Sequence, residues 1–231
     1  MLYEMISFII SIFVIVSYHT YLTVMKKHPR EKSVYSVEMQ AREQWVENMM
    51  QQSSQGILAV QTLRNAIMSA IFLASSSILP IVGILNLSMK EDSLGVSLAP
   101  SQLVDLFYSV GHLTPRDVIG IKLLALLIDF FWAFFCFCLA IGLYKQVGFL
   151  VNTGKNGVVV INKHYVAELL HRGEHYYNRG VRFCFFSVPL IFWMFGPDFM
   201  LAATIVLIYS LYRIDTLPKN LPEPILTSSD L

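Results

Sequence analysis

Four long apolar blocks organise this chain: residues 5–25, 57–87, 118–144 and 181–213, separated by polar stretches. A hydrocarbon core of about 30 Å takes roughly 20 helical residues, so each block can cross a bilayer. The last block is too long for one crossing, about 50 Å at 1.5 Å per residue. In its middle stands FGPDF, Phe195 to Phe199, where Gly-Pro breaks a helix and Asp198 calls for water. The pattern predicts two short spans, 181–195 and 199–213, joined by a tight turn; one kinked, tilted helix is the alternative. The expectation is an all-α, polytopic transmembrane bundle of about five spans, built as a single integral membrane domain over residues 1–231. The first block carries Glu4 where a signal peptide has basic residues, and no small-residue cleavage site follows it. It reads as a retained span.

The polar stretches carry patterns of their own. In the first loop, 26–56, Val37, Ala41, Trp45 and Met49 recur at i, i+4, with Val46 and Met50 beside them. This predicts an amphipathic helix. It fits the membrane interface, a partner helix or the protein's own bundle equally well. The basic run KKHPREK before it suits an anionic leaflet. The loop 88–117 holds a short amphipathic piece at 101–110. TPRD then opens the third span, with Thr114 as cap, Pro115 in the first helical position and Asp117 in the first turn. The loop 145–180 has a turn at NTGKNG and a helix near 164–176. The tail, 214–231, is proline-rich and extended.

Charge sets the orientation. Only 14% of residues are charged and 55% are hydrophobic, against roughly 25% charged in soluble domains. The net charge of +1, with no basic-aromatic stripe, speaks against nucleic acid. Lys26, Lys27, Arg30, Lys32, Arg42, Arg64, Lys145, Lys155, Lys163, Arg172, Arg179, Arg182, Arg213 and Lys219 fall on one side of a five-span chain. Lys90, Arg116 and Lys122 fall on the other. Lys/Arg bias then puts the N-terminus outside and the C-terminus in the cytoplasm, in a bacterial cytoplasmic membrane or its eukaryotic equivalent. Trp45, Met49, Met50, Arg172, Arg179 and Arg182 are the candidate interfacial or partner-binding positions. Cys136, Cys138 and Cys184 lie in apolar runs without ligand spacing and read as reduced, buried hydrophobes.

Four segments carry a family likeness. Tyr18, His19 and Leu22, then AREQWV, then GILAVQTLRNAIMSAIFLASSSI, then RGEHYYNRGVRFCFFSVPLIFWMFGPDFM resemble the plant and bacterial membrane family known as domain of unknown function 599. The likeness covers most of the chain and is weakest in the 88–117 loop and the tail. It implies a small polytopic membrane protein. It brings no activity, cofactor or catalytic residue.

Candidate chemistry is sparse. HRGEH, His171 to His175, fits the H-x-x-E-H pattern of some zinc proteases. Those enzymes need a further carboxylate ligand. Asp198 is expected on the opposite side of the membrane, Glu223 and Asp230 lie in the tail, and Gly173 weakens the helix. The segment reads instead as a basic, aromatic entry to the final hairpin. Ionisable groups inside spans are costly and therefore mark candidate sites. His19, Arg64, Asn65 and Asp129 form the candidate intramembrane cluster, with Arg64 able to reach Asp129 if the helices align. They read either as a polar path or as hydrogen-bonded glue for the bundle. No nucleophile with a base, no paired acids and no haem histidines assemble, so no enzyme activity and no cofactor is expected. By elimination the chain reads as a non-catalytic accessory or interaction subunit of a larger membrane complex. Its expected partners are the lipid bilayer and other membrane subunits or its own copies. The alternative is a small transporter or oligomeric channel using Asp129 and Arg64. A metal-dependent membrane enzyme is the remote one.

Overall fold

A computed structural model describes residues 2–27, 34–51, 56–89, 115–153 and 161–216. Six helices account for almost all of them: α1 Leu2–Lys27, α2 Val34–Gln51, α3 Gly56–Met89, α4 Pro115–Thr153, α5 Lys163–Trp193 and α6 Pro197–Asp215. No strand occurs among the described residues. The expected all-helical architecture is what forms. Three helices, α3, α4 and α6, are long and apolar enough to cross a membrane, and α1 carries a shorter apolar stretch, Tyr3–Tyr18.

Local chemistry sets the helix ends. Pro115 opens α4 and Asp117 lies in its first turn, where a missing N–H costs nothing and a negative charge meets the positive dipole end. The Asn162 side chain accepts the His164 N–H at 2.9 Å and starts α5. Gly196 separates α5 from α6 with φ 147 and ψ 164, a region open essentially to glycine alone. Pro197 then begins α6. FGPDF therefore makes a hairpin and not a kink: Arg182 on α5 meets Asp215 at the far end of α6.

Two expected boundaries change. α4 continues from Tyr144 to Thr153, and the helix expected near 164–176 joins the span 181–195 as one α5. Packing explains both. A Cβ on Gly173 would lie 2.9 Å from Tyr144 Cε1, and one on Gly180 would lie 2.7 Å from Phe137 Cε1. The two glycines, seven residues apart, are notches for two aromatic rings seven residues apart on α4. Close packing of buried rings offsets the roughly 1 kcal/mol that a helical glycine costs. The 101–110 piece, Thr114, the KKHPREK run beyond Lys27, most of the NTGKNG turn and the tail from residue 217 lie outside the described residues.

Neighbouring helices follow the order α3, α4, α5, α6, α1, with α2 laid across α5 and α4. Ile84 of α3 clusters with Leu123 and Leu126 of α4. Ala74 clusters with Ala133 and Phe137 further along. Leu63 meets Gly148, and Val46 and Met49 of α2 join that same core. The α1–α6 seam is closed by Tyr18, Leu207 and Leu211.

Candidate functional site: a buried polar belt between two clamps

Two polar clamps fix the ends of the apolar stretch of α1, Tyr3–Tyr18. At one end Lys122, almost fully buried, pairs with Glu4 at 2.9 Å. It also donates to the Trp193 carbonyl at 3.0 Å and lies 5.3 Å from the centre of the Trp193 ring. Phe8 stacks on that indole with centroids 4.5 Å apart, and Tyr3 donates to Asp198. At the other end Asp215 accepts from Arg182 at 2.6 Å and from the Tyr18 hydroxyl at 2.7 Å. Burying a lone charge is costly, so Lys122 meets Glu4 and Arg182 meets Asp215.

Between the clamps lies a belt of buried polar side chains: Ser7 and Ser11 of α1, Ser77 of α3, Asp129 of α4, Ser187 of α5 and Thr204 of α6. Helix rise places several of them at one depth. Ser11 is seven residues beyond Glu4, and Asp129 is seven beyond Lys122. Glu4 and Lys122 pair, so both steps run about 10 Å in the same direction. Ser187 lies six residues back from Trp193 on the antiparallel α5, to a similar depth. Four hydroxyls donate to carbonyls one turn back: Ser7 to Tyr3, Ser77 to Leu73, Ser187 to Cys184 and Thr204 to Met200. Their lone pairs stay available as acceptors. Ser77 Oγ also lies 3.8 Å from Cys184 Sγ. Asp129 Oδ2, Ser11 Oγ and Trp193 Nε1 are buried without a hydrogen-bond partner among the described residues.

The sequence-derived cluster does not assemble around Asp129. Arg64 and Asn65 are exposed on α3. Leu63 is level with Gly148, nineteen residues along α4 from Asp129, a separation of about 28 Å. Arg64 therefore cannot neutralise Asp129. His19 belongs to α1, but its side chain lies outside the described residues.

The interfacial candidates divide. Met49 is buried and Trp45 and Met50 half-buried in the chain's own core, so α2 rests on its own bundle. A contact between Glu43 and His164 at 3.1 Å and an ion pair from Glu47 to Lys163 hold it there. Arg172 pairs with Glu168 on its own helix and Arg179 is exposed, whereas Arg182 is half-buried in the Asp215 clamp. Within HRGEH, Glu174 accepts from Tyr144 at 2.9 Å and lies 3.5 Å from Arg42. Gly173 is the Tyr144 notch. The segment joins α2, α4 and α5.

Sequence reading passed over Glu4, Tyr18, Lys122 and Asp215. The signal available was the heptad spacing of Lys122 and Asp129, which puts both on one face of α4.

No curated protein and no solved structure matches this chain. The family model for the protein of unknown function DUF599 matches residues 6–219, and the chain belongs to that family.

Proposed function

We propose that this protein is a non-catalytic interaction subunit of a larger membrane assembly, with its N-terminus outside and its C-terminus in the cytoplasm. One observation carries the reading, the outward face of α3. That helix packs along α4 for most of its length. Its other side exposes Gln61, Arg64, Asn65, Ser75, Ser76 and Asn86 among Met68, Phe72 and Leu79. A lipid-facing helix gains nothing from amides, whereas a neighbouring helix supplies their partners and packs closely over small residues such as Ser75 and Ser76, the latter already donating to the Phe72 carbonyl. Mass analysis of the full chain in mild detergent tests the proposal. A mass above one chain is expected, falling to one chain in Asn65→Leu/Ser76→Leu. A wild-type mass of a single chain overturns it.

A second reading, a small transporter or oligomeric channel, is favoured by the unpartnered Asp129 carboxylate oxygen. Arg64 has no part in that reading, because it stands too far along the bundle.

A further inference from the structure

Asp129 raises a question the association face does not answer. Its side chain is more than nine-tenths buried, and Oδ2 is sealed from solvent without a donor among the described residues. Apolar clusters close it off in both directions along α4. Ile84, Leu123 and Leu126 lie on the Lys122 side, and Ala74, Ala133 and Phe137 on the other. Among the described residues, the cations that could neutralise it are engaged elsewhere, distant or, like Arg179, exposed. Lys122 is held by Glu4, Arg182 by Asp215, and Arg64 is about 28 Å away. The groups level with Asp129 on the packed helices are Ser77 of α3, between Ala74 and Ile84, and Cys184 and Ser187 of α5, short of Leu190. Apart from the thiol they are neutral oxygens. Both hydroxyls already donate to backbone carbonyls, so what they present inward is lone pairs.

A carboxylate level with two hydroxyl oxygens, without a counter-charge among the described residues, offers hard-oxygen donors in a low-dielectric layer. We propose that Asp129, with the hydroxyl oxygens of Ser77 and Ser187, is a binding site for a monovalent cation, either Na+ or a proton. One bound positive charge neutralises the carboxylate and leaves the site with no net charge, the state that burial favours. A divalent ion would leave an excess charge that nothing nearby balances. The site is independent of the α3 face, since neither uses a residue of the other.

Thermal unfolding of the full-length protein in detergent tests the site, because a cation that binds the folded state raises its Tm. NaCl is exchanged for choline chloride at constant ionic strength, and pH is varied separately. Wild type is expected to gain several degrees with Na+ or with protons. A Na+ response at fixed pH identifies Na+; a pH response without a Na+ response identifies the proton. Asp129→Asn is expected to remove the Na+ response, or the Asp129 part of the pH response, leaving the pH dependence contributed by other carboxylates such as Glu47. Ser77→Ala, which deletes one oxygen, is expected to raise the half-effective cation concentration roughly tenfold. If Asp129→Asn does not fold, Ser77→Ala and Asp129→Glu decide, and unchanged half-effective concentrations in both overturn the proposal. A wild type that responds to neither cation, or an Asp129→Asn protein that responds like wild type, also overturns it.

Discussion

Asp215 ties three helices together through two oxygens. Arg182 donates to one and Tyr18 to the other, so the side chain joins α5, α6 and α1 at one point. Hydrogen bonds to a charged group contribute about 1.5–3 kcal/mol each, and this cluster is largely buried. Asp215→Asn keeps the shape and removes the charge; it is expected to lower stability by about 1.5–3 kcal/mol. Arg172→Gln breaks an exposed pair within one helix and should change stability by less than about 0.5 kcal/mol. Unfolding midpoints of the two variants, measured in one detergent, check the contrast. Equal effects would show that the clamp holds nothing. Sequence alone ranked these residues differently. Asp129 and Arg182 were visible as ionisable groups in or beside apolar runs. Asp215 and Tyr18 were not, because their value comes from partners 33 and 197 residues away, and no local spacing records that.

At the scale of elements, the α4–α5 contact rests on two notches. Gly180→Ala would force its Cβ against the Phe137 ring, and overpacking of this kind costs about 1–3 kcal/mol. Gly142→Ala, where an added Cβ meets nothing within 4 Å, should be neutral or slightly stabilising, since alanine is the better helix former. Paired melting curves test both. The seating of α2 has a pH signature. Hydrogen bonding and charge from Lys163 hold the Glu47 carboxyl below the usual carboxylate range. A depressed folded pKa stabilises docking above the unfolded value, and that contribution disappears as pH falls through the folded value. Amide exchange in α2 should therefore quicken below the usual carboxylate range in wild type, and show a weaker pH dependence in Glu47→Gln. The amphipathic pattern of α2 was legible from Val37, Ala41, Trp45 and Met49. Its docking surface was not, since periodicity gives the apolar face and not the element that covers it. The joining of 164–176 with 181–195 was missed for a related reason. Gly173 reads as a helix weakener until the ring that fills its notch is known.

At the scale of the whole molecule, α1, α3, α4, α5 and α6 alternate in direction along the chain, which leaves the neighbours α1 and α6 parallel. Glu4, Lys122, Trp193 and Asp198 gather at one end, while Tyr18, Arg182 and Asp215 lie further along. The apolar blocks and the Gly196-Pro197 break made this architecture readable from the chain, because bilayer thickness and helix rise leave little freedom. The polar belt was not readable, since single serines in apolar runs carry no helical phase that names their neighbours. Alternation places the start of α1 and the end of α6 at opposite ends, and the orientation proposed here predicts a cytoplasmic signal from a reporter fused after residue 231. A signal from outside would reverse the proposed orientation.

The association face of α3 is the central claim, and site-specific photo-cross-linking tests it directly. A photoreactive residue is placed at Met68, Phe72 or Leu79 on the outward side of α3, and at Ile9 or Val206 on α1 and α6, all of them exposed. The account predicts discrete protein adducts from the three α3 positions in native membranes, and lipid adducts from Ile9 and Val206. Lipid adducts alone from α3, or protein adducts only from α1 and α6, would contradict it.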